Sequence, residues 1–256
     1  MPGERTPERE NQILPPNDPY PRFLHVGDTA LTVEFGDAID PAINAAVIAL
    51  DLALAAAELP GIIETVPTYR SLLICYEPAE LPYQTLVDTV RELIGEDFGR
   101  PRRPGRRWSV PVAYGAPYGD DLEAVAATLH LAPEQVIAAH SSTDYLVYLV
   151  GFNPGAPNLG GLPKQLHIPR RKVPRPMVPA GSVAIGGMQT GITSIAVPTG
   201  WHILGRTPVR PFVVSRREPF LFQAGDRIRF RPISATDFDR LAADAAAGEP
   251  VASLVA

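Results

Sequence analysis

Residues 180–192 read AGSVAIGGMQTGI. Two short strand-like runs flank a cluster of glycines, so the stretch reads as a tight corner between two strands. Glycine lets backbone approach another group closely. The corner from Gly186 to Gly191 is therefore a candidate ligand contact, with Gly187 and Gly191 as points of approach. Gln189 and Thr190 add chemistry to it. A Gln amide carries two donors and an acceptor and can read a lactam or a carboxamide. Backbone N–H groups at such a turn can meet an anion. The alternative is a hairpin corner whose side chains point to water.

Working upstream, the segment from Gly151 to Gly191 is dense in glycine and proline. A long loop stiffened by proline is more often functional than connective. Within it, Arg170, Arg171, Lys172 and Arg175 place four cations in six residues. Such a cluster suits a phosphate or carboxylate, which Arg can hold with two parallel hydrogen bonds. The alternative is a solvated basic loop. His167 and His140 are candidate proton carriers.

Further out, YLVYLVGF, SVAIGG, ITSIAVP, HILGRTPVRPFVV and DRIRFRPI are short strand-like runs divided by Gly and Pro. Strands at this spacing predict a barrel or sandwich. It opens with WSVPVAY, followed by helices over DDLEAVAATLH and APEQVIAAHSS. Asp120 and Glu123 stand at capping-box spacing. Pro133 falls in a first helical turn. The N-terminal half reads strand, helix, two strands, helix, which predicts a small α/β sandwich. Asp40 is the expected N-cap of the first helix, with Ile43, Val47, Leu50 and Leu54 on one face. Gly95 is the expected C-cap of the second. The organisation is thus a disordered arm over 1–20, an α/β domain over 21–98, an Arg/Pro linker over 99–107, a β domain over 108–234, and a helix with a frayed tail over 235–256.

Composition narrows the function. A net charge of −5 gives no electrostatic footprint for nucleic acid. The one cysteine, Cys75, forms no internal disulfide and lies in an apolar strand, where a core role is expected. It fits a reducing compartment. No apolar run reaches transmembrane length, and MPGERTPERENQILPPNDPYP lacks the apolar core of a signal peptide. A cytoplasmic protein without a membrane role is expected. The nearest approach to a phosphate-binding P-loop, GAPNLGGL from Gly155, has Gly161 and Leu162 where Lys and Ser/Thr are required. There is no G-x-S-x-G elbow and no H-E-x-x-H. The five histidines show no zinc-ligand spacing, so no metal site is expected on this chain.

The motifs together carry a resemblance. PRRKVPRPMVPAGSVAIGGMQTGI with PTGWHILGRTPVRPF, GDTALTVEFGDAIDPAIN, VPTYRSLLICYEP and HSSTDYLVYLVGFNPGAPNLGGLP resemble the KipI family, that of the 5-oxoprolinase B subunit (PxpB), also called allophanate hydrolase subunit 1. The resemblance spans about residues 22–232. It implies an α+β protein, a small N-terminal α/β sandwich followed by a cyclophilin-like β-barrel. It also implies a partner, the homologous C subunit (the KipA or allophanate hydrolase subunit 2 type). The pair is expected to activate 5-oxoproline with ATP, with Mg2+ and with the nucleotide bound mainly by the partner, on the way to glutamate. Two other activities occur in the family: a carboxyltransferase part of biotin-dependent urea degradation, with no biotin on this chain, and inhibition of a histidine kinase. Relative to the family's G-F-x-P-G-F-P-Y-L-G-G, Asn153 replaces an apolar residue, Ala156 a Phe and Asn158 a Tyr. Asn153 joins the candidate site on that ground. The leading expectation is an enzyme subunit, inactive alone, in which Arg170, Arg171 and Arg175 meet phosphate and Gln189 and Thr190 hold the amide.

Overall fold

The structure, a computed structural model, describes residues 20–95 and 105–255. Residues 1–19 of the expected arm and 99–104 of the expected linker lie outside these.

The N-terminal domain runs β1 (Arg22–Val26), β2 (Ala30–Glu34), α1 (Pro41–Ala57), β3 (Ile62–Pro67), β4 (Ser71–Tyr76) and α2 (Tyr83–Leu93). Its four strands form an antiparallel sheet in the order β1-β2-β4-β3. Helix α1 starts as its sequence dictates. The Asp40 carboxylate accepts from Ala42 N at 2.7 Å and Ile43 N at 3.3 Å, and Pro41 fills the first turn. Val47, Leu50 and Leu54 pack with Leu86, Val87 and Val90 of α2 on Leu31, Val33, Leu72 and Ile74. Strand alternation turns Cys75 to the opposite face from Leu72, Ile74 and Tyr76, so it is half-buried instead of in the core. Helix α2 closes on Ile94, whose N–H bonds Val90 O, one residue before the expected glycine.

The second domain runs β5 (Arg107–Tyr114), α3 (Leu122–Leu129), α4 (Pro133–Ser141), β6 (Asp144–Val150), β7 (Pro157–Gly160), β8 (Arg175–Val178), β9 (Ser182–Gly186), β10 (Gln189–Ile192), β11 (Val197–Thr199), β12 (His202–Arg206), β13 (Arg227–Pro232), α5 (Ala235–Ala246) and β14 (Ser253–Leu254). Seven strands in the order β12-β9-β10-β7-β6-β13-β5 close on themselves, because β12 also pairs β5 through Gly205–Tyr114 and Arg206–Ala113. The protein is therefore an α+β fold with a separate small sheet and a closed barrel. Closure removes the sheet edges that would otherwise be open to other chains. Strands β8 and β11 form a two-stranded ribbon outside the barrel. The expected frayed end is not frayed at Ser253–Leu254, which pair with Ser109 and Trp108 of β5.

Two charged segments behave differently from a solvated linker or a helix cap. Arg106 grips the buried Asp226 carboxylate through Nε at 3.1 Å and Nη2 at 2.7 Å, while Arg107 pairs Asp144 at 2.8 Å. The Asp120–Glu123 capping box does not form. The residue before α3 is Asp121, and its carboxylate makes no bond to the helix's own N–H groups. It turns instead to the barrel wall and the basic loop.

Asn44 joins the two domains. It is fully buried on α1, and its Nδ2 donates to Thr68 O at 3.0 Å, Tyr69 O at 3.4 Å and, across the junction, Tyr148 O of β6 at 3.1 Å. Among the described residues no helix is long and apolar enough to cross a membrane.

Candidate functional site

The opening stretch is a hairpin. Strands β9 and β10 pair with Gln189 opposite Gly186 and Thr190 opposite Ile185, leaving Gly187 and Met188 as the turn. Gly187 has φ +64°, the left-handed conformation a tight hairpin needs at its first turn residue. Its backbone is not open to an anion. Gly187 N donates to Ile168 O at 2.7 Å, and Ile168 N donates back at 3.2 Å. Gly186 and Gly191 serve Trp201. A Cβ at Gly186 would stand 2.7 Å from the indole Cδ1, and one at Gly191 would stand 3.3 Å from its Cζ3. The indole thus lies against the glycine floor of the hairpin. Gly186→Ala is expected to lift Trp201 and cost about 1–3 kcal/mol. The check is a shifted tryptophan emission alongside a lowered melting temperature.

The pleat separates Gln189 from Thr190. Successive side chains on a strand point to opposite faces, so the expected joint grip of both on one amide does not form. Thr190 faces the barrel interior and is fully buried. Its hydroxyl donates to Ala184 O at 2.9 Å and meets His140 Nε2 at 2.9 Å. A hydroxyl has one proton, so Nε2 must be the donor to Thr190. Neutral His140 then accepts at Nδ1 from the Tyr114 hydroxyl, 2.7 Å away. Phe230 stacks on the ring at 4.7 Å, and Tyr145 bonds the His140 carbonyl at 2.8 Å. Burial lowers the imidazole pKa to about 3. His140 is a neutral bridge in the core and not a proton shuttle. His167 is also engaged structurally, its Nε2 lying 3.0 Å from Leu162 O.

The basic cluster is likewise divided. Arg171 and Arg175 both bind one oxygen of Asp121, at 2.8 and 2.6 Å, and the other oxygen accepts from Ile203 N at 2.8 Å. Asp121 is only 3% exposed. Burial pushes its carboxyl up. The Arg175 and Ile203 hydrogen bonds and both guanidinium charges outweigh that, leaving the pKa lowered. Two of the three expected phosphate arginines thus neutralise a buried aspartate. Asn153 is held too: its Oδ1 accepts from Ser194 Oγ and Ser194 N.

Arg170 remains exposed. Its guanidinium carbon lies 5.8 Å from the Trp201 ring centroid, and it has no carboxylate partner among the described residues. Gln189 projects on the Trp201 face. It is 6% exposed, yet its Nε2 has no hydrogen-bond partner. Across the junction, Tyr69 comes from the turn between β3 and β4 and meets Tyr148 edge-on at 5.8 Å. Burial raises the Tyr69 pKa, while the Gln189 amide, leaning toward the phenol oxygen without reaching full hydrogen-bond geometry, and the Arg170 charge pull it down, so both groups act on Tyr69. Gln189, Arg170, Tyr69 and Trp201 are the candidate site. Tyr69 and Trp201 escape a motif reading, although each stands in a quoted motif, VPTYRS and PTGWHI. Two surface clefts, of about 420 and 350 Å3, are lined by none of these four residues.

No group of three or more His, Cys, Asp or Glu side chains among the described residues can hold a metal. The Gly187 N–H and two of the arginines are already engaged.

A closed seven-stranded barrel with a small α/β domain docked on it, and a polar site at their junction, defines the class. Residues 21–222 match the family described as carboxyltransferase domain, subdomain C and D, and the chain belongs to that family. It is 38% identical over 226 residues to the B subunit of 5-oxoprolinase from Bacillus subtilis, covering 83% of this chain and 93% of that protein. Among solved structures, TTHA0988 is 36% identical with a TM-score of 0.73, matching 80% of this chain. The match spans only 40% of the TTHA0988 chain. The K. lactis urea amidolyase, at 18% identity, shares the fold with a TM-score of 0.73 over 91% of this chain and 16% of its own length.

Proposed function

We propose that this chain is the B-type subunit of an ATP-dependent 5-oxoprolinase, working with a homologous C-type subunit to open a five-membered lactam to glutamate. The observation that carries the reading is the buried, unpartnered Gln189 Nε2 at a domain junction, in a chain 38% identical to a B subunit of 5-oxoprolinase. A buried donor left unmet costs about 1–3 kcal/mol. A lactam carbonyl oxygen would satisfy it. The lactam's carboxylate would face Arg170, whose charge no aspartate or glutamate among the described residues takes up. Hydrolysis adds water across the ring C–N bond, giving a carboxylate and an ammonium group. The nucleotide and Mg2+ belong, in this reading, to the partner, since the described residues offer them no cradle. The carboxyltransferase reading draws on the family description and requires a biotinylated partner and urea.

The test is co-expression with the homologous subunit, followed by phosphate release with 5-oxoproline or urea. We expect no turnover from the isolated chain and lactam-dependent turnover from the complex. Full activity without a partner, or urea dependence alone, would overturn the proposal. Gln189→Ala should lower kcat/KM about 10-fold, the worth of one hydrogen bond of about 1.4 kcal/mol. It should leave the melting temperature unchanged or raised, because that amide nitrogen bonds nothing in the protein.

A further inference from the structure

We propose that Tyr69, carried by the N-terminal domain, is a ligand-contacting residue of this site: its hydroxyl and Gln189 Nε2 donate to one lactam carbonyl oxygen, while Arg170 pairs with the ligand's carboxylate. The inference rests on the subunit reading above and adds that the ligand bridges the two domains. It also makes recognition specific for a lactam that bears a carboxylate.

Three donors of the junction have no protein acceptor, one of them buried and two open to solvent. Gln189 Nε2 is enclosed and has no partner. The Tyr69 hydroxyl donates its own proton to no described residue; the Gln189 amide leans toward its oxygen without reaching full hydrogen-bond geometry, and burial, that amide and the Arg170 charge all act on it. Since burial prevails and the phenol's pKa is raised, the hydroxyl carries its proton at neutral pH and is a donor. Arg170, third, is set apart from Arg171 and Arg175, whose charge Asp121 takes up. Native proteins satisfy nearly all buried polar groups. The buried Gln189 amide therefore calls for an acceptor from outside the chain, and the solvent-reaching Tyr69 hydroxyl and Arg170 guanidinium offer further donors to the same molecule. The chemistry they select is a carbonyl oxygen and an anion borne on one small molecule.

The turn that carries Tyr69 is fixed before any ligand arrives. Thr68 N donates to Ser71 O at 2.9 Å, and Asn44 clamps the carbonyls of Thr68 and Tyr69. Arg70 reaches back to Gly36 O at 3.1 Å and pairs Glu34 at 3.3 Å. Through its third bond, to Tyr148 O, Asn44 ties that turn to β6 of the barrel. The backbone that carries the phenol is thus held in register with the barrel side of the site by the turn's own bond and by the Asn44 and Arg70 side chains. Such fixed placement limits the ordering entropy lost on binding.

The experiment compares the wild-type complex with Tyr69→Phe and Arg170→Ala complexes, measuring kcat and KM for 5-oxoproline and the melting temperature of each. Tyr69→Phe keeps the ring against Tyr148 and removes only the hydroxyl. Its KM should rise about 10-fold with the melting temperature unchanged. Arg170→Ala, an exposed change on the other domain, should also raise KM about 10-fold, and it keeps the test open should Tyr69→Phe fail to fold. Wild-type turnover with either KM staying within twofold of wild type would overturn this inference and leave the subunit reading standing. Absence of lactam-dependent turnover in the wild-type complex would overturn the subunit reading, and this inference with it.

Discussion

Asp121→Ala is expected to destabilise the protein by about 3 kcal/mol, near the lower end of what breaking a buried ion pair costs. The carboxylate is nearly inaccessible, and it alone joins Arg171, Arg175 and Ile203 N. Truncation leaves two guanidiniums facing each other with only the exposed Asp120, 3.7 Å from Arg175, as a nearby anion. Their side chains are 30% and 28% exposed, so water recovers part of the loss, which is why the lower figure applies. For a chain of this size 3 kcal/mol corresponds to a fall in melting temperature of roughly 6–12 °C. Asp121→Asn should lie between, since it can still accept from Ile203 N while losing the charge. Acid supplies an independent readout. The folded-state pKa of Asp121 lies below its unfolded value. Its contribution is therefore present above the unfolded pKa, near 4, and is lost as pH falls through the folded value. Wild type should lose this increment below about pH 4, and Asp121→Asn should not. Hydrogen exchange should place the first opening in residues 163–175, the loop the aspartate pins. An unchanged melt for Asp121→Ala would mean that the two arginines are held by something else.

The same residue shows where the sequence stops being legible. The helices, the hairpin and most barrel strands follow from local patterns, because Asp40 caps its helix through bonds within three residues, Pro41 and Pro133 preset the backbone of a first turn, and glycine turns act over four. The strands β1, β7 and β8 carry no such signal. Two of them contain proline, and PNLG at β7 is too short and polar to read as a strand. The basic cluster is harder still. Arg170, Arg171 and Arg175 are equivalent in a motif, and only a carboxylate 50 residues upstream of Arg171 tells them apart. Asp121 itself is hidden by a local alternative, the Asp120–Glu123 capping box, which the tertiary ion pairs outcompete. For Gln189 and Thr190 the information lies in the sequence. Adjacent residues on one strand cannot share a face, so a period-2 reading already separates the one on the Trp201 face from the one that meets His140. Tyr69 stays hidden because its role depends on Asn44 docking one domain on the other.

His140→Ala is the second large effect, about 3–5 kcal/mol at neutral pH. The ring is fully buried and stacked on Phe230, so its removal opens a cavity of the kind left by an aromatic-to-alanine change. It also strips Tyr114 and Thr190 of a partner. His140→Gln keeps a donor for Thr190 and should lose less. The two variants differ from wild type in acid as well. The folded imidazole has its pKa lowered to about 3, against 6.5 when unfolded. Between those values the unfolded chain binds a proton that the folded one refuses, so stability falls as pH drops through that window, by on the order of 1.4 kcal/mol per pH unit. In His140→Gln that slope should flatten between about pH 6 and 4, which thermal melts across the range will measure. The same physics decides the catalytic question. A residue that stays neutral throughout the working pH range contributes no inflection to a rate profile. The active complex should therefore give the same profile of kcat against pH between about 5.5 and 8 whether it carries His140 or the His140→Gln substitution, apart from any loss through unfolding. An inflection near neutrality that vanishes in His140→Gln would restore the imidazole as a proton carrier and contradict its placement between Tyr114 and Thr190.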